Sequence, residues 1–97
     1  MEVSAWSGNT YGVRVGYANR DKFFNSSWDW IEVEIENKTH RFRLTGSFWD
    51  GCPEFRDSGG TVIQDWLRRN YTVPWPNGSP PRFKLEVIGE QRFRLEP

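Results

Sequence analysis

The chain has 97 residues and a mass of 11.5 kDa, the size of one domain with one hydrophobic core. Thirteen basic and thirteen acidic residues give a formal net charge of zero, whereas proteins that grip nucleic-acid backbone or anionic lipid need a basic excess. No apolar run reaches the ~18 residues of a membrane span, and the first residues lack the pattern of a signal peptide. One cysteine and one histidine exclude an internal disulfide and a Cys/His zinc site. We therefore expect a soluble, cytoplasmic single domain over residues 1–97, with no membrane partner, metal or cofactor.

Alternating apolar residues predict the first strand over residues 11–17. Two more strands are predicted over 30–36 and 40–45, joined by a two-residue loop at Asn37 and Lys38. In this register apolar residues pair on one face and glutamate pairs with arginine on the other. The predicted pairs are Ile35–His40, Val33–Phe42, Ile31–Leu44, Glu34–Arg41 and Glu32–Arg43.

The segment 61–70 carries the pattern of an amphipathic helix. Val62, Ile63, Trp66 and Leu67 share one face. Thr61 followed by Gln64 fits a capping box at its start. A separate short helical turn is predicted to begin at Pro53, because proline is favoured in a first turn.

Two final strands are predicted over 83–87 and 92–96, with a three-residue loop over 89–91. That register also satisfies both faces at once, with the pairs Val87–Phe93, Leu85–Leu95, Glu86–Arg94 and Lys84–Glu96. The element order is therefore β-β-β-α-β-β. It predicts an α+β two-layer sandwich, in which one amphipathic helix covers a five-stranded, mainly antiparallel sheet.

The segment 47–60 is the densest in chemically active residues and predicts a candidate ligand loop between Trp49 and Asp57. A helix starting at Pro53 would activate the thiol of the residue before it, and clustered carboxylates can act as acid and base or hold a cation. The alternative is a purely structural role, in which the cysteine is buried and the carboxylates cap a helix or turn or remain solvated. The candidate residues of this loop are Trp49, Asp50, Cys52, Glu54, Arg56 and Asp57.

Tryptophans supply the second set of candidates. By strand parity, Trp28 and Trp30 point away from the core if the strand begins that early; alternatively, a kink tucks both rings under a sheet edge. Trp75 lies between two prolines, and can anchor a partner or plug the open end of the sandwich. Exposed indole rings would also suit a carbohydrate.

The outer sheet face is the third candidate. Ten of the thirteen basic residues are arginine, which favours bidentate pairing with carboxylates and stacking on aromatic rings. We expect a non-enzymatic accessory protein that binds another protein or itself through Trp28, Trp30, Trp75, Arg41 and Arg43. The alternative is a small-ligand binder, for example of a carbohydrate, or a hydrolase that uses the Trp49–Asp57 loop. A third hypothesis, single-stranded nucleic-acid binding, is weakened by the interleaved carboxylates, which repel phosphate.

Overall fold

A computed structural model describes all of residues 1–97 and contains seven strands and three short helices. The strands are β1 (Glu2–Ser7), β2 (Tyr11–Arg14), β3 (Trp30–Ile35), β4 (Lys38–Arg43), β5 (Glu54–Arg56), β6 (Arg82–Gly89) and β7 (Arg92–Glu96). The helices are α1 (Tyr17–Phe23), α2 (Gly46–Asp50) and α3 (Val62–Asn70). None of these helices has the length and apolar character needed to cross a lipid bilayer.

The strands form one mixed sheet in the order β4-β3-β7-β6-β1-β2-β5. β3 and β7 are parallel, and all other neighbours are antiparallel. The sheet curls into a nearly closed barrel, so its two edge strands approach each other: the rings of Phe42 in β4 and Phe55 in β5 have centroids 5.2 Å apart. The expected two-layer sandwich with a five-stranded, mainly antiparallel sheet and one helix is therefore wrong.

The prediction failed at short elements with weak patterns. β1 buries only Val3 and Ala5, and β5 has three residues. The strand predicted over 11–17 ends at Arg14, because Gly16 adopts a positive φ of 88° and α1 begins at the next residue. The helical turn predicted at Pro53 is also wrong, since the chain there enters β5.

The β3–β4 hairpin forms, but its register differs by two residues from the predicted one. Its loop is Glu36–Asn37, where both residues have positive φ values of 51° and 68°, the backbone of a type I′ turn. Ile31 therefore pairs with Phe42, and Glu32 pairs with Arg41. A shift of two residues leaves every side chain on its predicted face, so the face pattern could not distinguish the two registers.

The β6–β7 hairpin confirms its predicted register and α3 confirms its predicted position, but the three-residue loop predicted over 89–91 is wrong, because Gly89 pairs with Arg92. All four predicted cross-strand pairs are present in β6–β7, and a bulge lies between Val87 and Gly89. The helix predicted over 61–70 is α3, which buries Ile63, Trp66 and Leu67.

The inner face of the curled sheet and the helices enclose one core of 19 buried residues. Trp66 of α3 packs edge-on against Phe83, at the start of β6. Near the far end of that hairpin, Phe24 stacks on Phe93 and contacts Phe48 of α2. The helices therefore fill the two ends of the barrel, while the gap between β4 and β5 remains its one open side.

Candidate functional site

Most charges on the outer sheet face are neutralised by charges of the opposite sign on neighbouring strands. Glu32 lies 3.8 Å from Arg41 and 3.4 Å from Arg92, measured between carboxylate oxygen and guanidinium nitrogen. Arg94 lies 3.1 Å from Glu34, and this partner raises the pKa of the guanidinium. At another strand pair, the side-chain hydrogen bond from Arg82 lowers the pKa of Glu2. These pairs account for most of the face that the sequence indicated as an interaction surface.

Arginines that form no ion pair with a carboxylate are therefore the candidates for binding a partner molecule. Seven of the ten arginines form ion pairs, and the remaining three are Arg43, Arg56 and Arg68. Arg68 is exposed on α3. Arg43 and Arg56 line the gap between β4 and β5 together.

This gap contains two adjoining cavities of about 290 Å³ and about 540 Å³. The larger cavity is lined by side chains that can all form hydrogen bonds, and we call it the arginine cleft: Arg43, Thr45, Ser47, Arg56, Asp57 and Ser58. The smaller cavity adds His40 and Phe42 of β4, and Val62 of α3. Two arginines and three hydroxyl-bearing residues thus line one opening of the barrel.

Arg56 is held by a cross-strand arrangement on β5, β2 and β1. Gly12 pairs with Arg56 on one side and with Trp6 on the other. The guanidinium carbon of Arg56 lies 4.8 Å from the ring centroid of Trp6, within the range of a cation–π interaction. A Cβ at Gly12 would clash with the backbone carbonyl oxygen of Phe55. Glycine therefore permits the close approach of β2 and β5 that brings Arg56 over Trp6.

Asp57 is the acidic residue that lines the arginine cleft, and its carboxylate accepts hydrogen bonds from the backbone of α3. It is 5% exposed and accepts hydrogen bonds from the backbone N–H groups of Ile63 at 2.8 Å and Gln64 at 3.0 Å. Burial raises its pKa, against the opposing effect of those two hydrogen bonds. The predicted cap, Thr61, makes no capping hydrogen bond and donates instead to Asp65. Asp57 therefore caps α3 and forms an ion pair with neither arginine of the cleft.

The predicted partner-binding residues lie in three places. The guanidinium carbon of Arg41 lies 3.9 Å from the ring centroid of Trp30 on the outer face, and Arg43 lies opposite Trp30 in the β3–β4 ladder. Trp28 is half-buried, edge-on to Phe93. Trp75 is half-buried against Tyr11, with ring centroids 6.0 Å apart. The structure thus brings Trp30, Arg41 and Arg43 together and places Trp28 and Trp75 elsewhere.

The predicted ligand loop is divided among several environments. Trp49 is half-buried, edge-on to Phe48, and Asp50 is exposed at the end of α2. Only Arg56 and Asp57 reach the arginine cleft. The six candidate residues of the predicted loop therefore do not form one site.

Cys52 and Glu54 belong to a different cavity, of about 270 Å³, which they line with Arg14 and Tyr17. The Glu54 side chain is 3% exposed and lies 3.8 Å from Arg14, and its Oε2 has no hydrogen-bond partner. His40 does not line this cavity. The structure contains no group of three or more His, Cys, Asp or Glu side chains placed to hold a metal ion.

Sequence reasoning missed Trp6, Thr45, Ser47 and Ser58. The only signal for Trp6 was the weak alternation of Val3, Ala5 and their polar neighbours in β1. Thr45 lies at the end of a predicted strand, and Ser47 and Ser58 belong to the segment 47–60 but were not among its candidate residues. Comparisons with protein families, with curated proteins and with solved structures found no match for this chain.

Proposed function

We propose that the protein is a non-catalytic binding domain that recognises an acidic segment of a partner protein at the arginine cleft. One observation carries this proposal: Arg43 and Arg56 share a cleft without a carboxylate ion-pair partner, although seven other arginines of the same chain have one. Guanidinium groups bind carboxylates through paired, charge-assisted hydrogen bonds. The hydroxyl groups of Thr45, Ser47 and Ser58 supply further donors.

A protein segment suits the cleft better than a nucleic acid. Single-stranded nucleic acids need aromatic faces on which bases stack, but the rings of Trp30 and Trp6 are covered by Arg41 and Arg56. Of the earlier candidates, Arg43 belongs to the proposed site and Trp30 with Arg41 forms its border.

Self-association through the same edge is disfavoured by charge. β4 carries three basic residues, Lys38, Arg41 and Arg43, and no acidic residue, so two copies paired along β4 would bring like charges together. The proposal therefore names a different, acidic protein as the partner. It places the domain in a reducing compartment such as the cytoplasm, where the exposed thiol of Cys52 remains free.

The test is a calorimetric titration with poly-L-glutamate at low ionic strength. Arg43→Gln and Arg56→Gln should each weaken binding about tenfold, since one charge-assisted hydrogen bond contributes about 1.5 kcal/mol. Arg68→Gln is the matched control, because it removes the same charge from an arginine outside the cleft.

Two results would contradict the proposal. The first is an Arg68→Gln variant that binds as weakly as Arg43→Gln, because binding would then follow net charge alone. The second is tighter binding of an oligodeoxythymidine than of poly-L-glutamate, which would favour the nucleic-acid hypothesis. Light scattering on the free protein should give the mass of a monomer.

A further inference from the structure

Glu54 is the one ion-paired glutamate that the fold buries. Phe55 belongs to the core, so by strand alternation Glu54 lies on the outer face of β5, opposite Arg14 of β2. Its side chain is only 3% exposed, whereas the side chains of the other five ion-paired glutamates are 24–57% exposed. This carboxylate is therefore enclosed although it does not face the core.

The groups around the Glu54 carboxylate do not satisfy it. Its Oε2 has no hydrogen-bond partner, and the Nε of Arg14 lies 3.8 Å away, beyond hydrogen-bond distance. Burial of a carboxylate oxygen without a donor lowers the stability of the folded state. A destabilising group of this kind is typical of binding sites, where stability is traded for function.

The space beside this carboxylate is a cavity of about 270 Å³, which we call the Glu54 cavity. It is lined by Arg14, Gly16, Tyr17, Cys52, Pro53 and Glu54. Tyr17 is 60% exposed and therefore presents much of its ring to solvent. A second cavity of about 300 Å³ shares Arg14, Gly16 and Tyr17 with the first. The two cavities thus adjoin at this tyrosine.

We infer that the Glu54 cavity binds a single sugar ring, an uncharged polyhydroxylated ligand that is independent of the acidic partner. A hydroxyl group both donates and accepts hydrogen bonds. One ligand hydroxyl can therefore donate to Oε2 of Glu54 and accept from Nε of Arg14, since atoms 3.8 Å apart can both lie within hydrogen-bond distance of one oxygen. Tyr17 supplies an aromatic face for the apolar C–H groups of the ring.

The size and charge of the cavity support a neutral ring. Pockets for drug-sized ligands span about 300–1,000 Å³, so a cavity of about 270 Å³ suits a smaller molecule. A cationic ligand would meet Arg14 beside Glu54, and also Arg20, whose guanidinium carbon lies 5.2 Å from the ring centroid of Tyr17. An anionic ligand would meet the buried carboxylate. An uncharged ligand avoids both repulsions.

The probes are the methyl α-pyranosides of glucose, mannose and galactose, which present one ring with different hydroxyl orientations. Binding is followed on the full chain by NMR, from the chemical shifts of backbone amides. We expect at least one glycoside to shift the amides of Gly16, Tyr17 and Glu54 in a saturable manner. Glu54→Leu should weaken this binding about tenfold, the effect of one charge-assisted hydrogen bond. Tyr17→Ala should also weaken it, and the exposure of this ring leaves the core intact in the variant.

The stability of the free variant separates a binding role from a structural one. Glu54→Leu replaces an unsatisfied carboxylate by an apolar side chain of similar size, so its urea midpoint should equal or exceed that of the wild type. A lower midpoint with unchanged glycoside binding would overturn the inference. Arg56→Gln should leave glycoside binding unchanged, and Glu54→Leu should leave poly-L-glutamate binding unchanged. This inference and the proposed function can therefore fail separately.

Three further results would overturn the inference. The first is that none of the three glycosides shifts the amides around the Glu54 cavity. The second is that the shifts persist with unchanged affinity in both Glu54→Leu and Tyr17→Ala. The third is that methylguanidinium chloride shifts the same amides at concentrations at which the glycosides do not, because the cavity would then be a site for cations.

Discussion

Replacement of Asp57 tests the side chain that caps the N-terminus of α3. Asp57→Ala removes the acceptor for the N–H groups of Ile63 and Gln64. Loss of a helix cap costs about 1 kcal/mol, and an unsatisfied buried N–H costs about 1–3 kcal/mol. Since Ile63 is completely buried, we expect the free energy of unfolding to fall by about 3 kcal/mol.

The assay is urea denaturation followed by tryptophan fluorescence, because Trp66 lies buried in α3. Asp65→Ala is the matched control, since Asp65 lies in the first turn of the same helix but is exposed. It should change the free energy of unfolding by less than about 0.5 kcal/mol. Equal losses in the two variants would refute the assignment of Asp57 as the cap of α3.

The raised pKa of Asp57 adds a pH dependence with a definite sign. Its ordinary value is 3.8, so as the pH rises the unfolded chain loses this proton before the folded protein does. The contribution of Asp57 to the free energy of unfolding therefore falls as the pH rises from about 3.8 through the folded-state pKa. Measured against Asp57→Asn between about pH 3.5 and 6.5, the stability of the wild type should decline relative to the variant. A relative gain over that range would mean that the two hydrogen bonds outweigh burial.

Three further predictions follow from packing and exposure. Phe93→Ala should lower the free energy of unfolding by about 3–5 kcal/mol in urea denaturation, because the ring is fully buried between Phe24 and the sheet. Its cross-strand partner Val87 is 47% exposed, so Val87→Ala should cost under about 1 kcal/mol, and similar losses in the two variants would contradict the burial of Phe93. Gly12→Val should destabilise the protein by about 1–3 kcal/mol and weaken poly-L-glutamate binding, because the new side chain separates β5 from β2; normal stability and affinity would show that the close approach is dispensable. Cys52 should react with iodoacetamide in the folded protein about as fast as in urea, because it is exposed and no helix begins beside it, whereas a much faster reaction when folded would revive the hypothesis of an activated thiol.

Local pairing could be predicted where two independent patterns agreed. In β6–β7, the apolar pairs and the Glu86–Arg94 pair predicted the same register, and the structure confirms that register. In β3–β4, a register shifted by two residues satisfies the same faces, and only the backbone of Glu36 and Asn37 distinguishes the two. Turn conformation, which the side-chain pattern does not encode, decided that register.

The candidate site was harder to predict because it depends on the curvature of the whole sheet. Arg43 and Arg56 were both singled out, but in separate hypotheses. They meet only because seven strands curl until β4 and β5 face each other, and two of those strands carry too few apolar residues to be recognised. A capping role for Asp57 was foreseen as an alternative, whereas its place in one cleft with two unpaired arginines was not.

The order of the strands also determines when the sheet can assemble during synthesis. β6 lies between β1 and β7, and β7 joins β6 to β3, so the first and last thirds of the chain meet at the centre of the sheet. When the β3–β4 hairpin has left the ribosome, β6 and β7, which link this hairpin to β1, have not yet been synthesised. Until β6 and β7 emerge, β1 and β3 each lack one neighbouring strand, and the nascent chain is most exposed to wrong pairing and to proteases. Such a domain is expected to complete its sheet only after β7 has left the ribosome.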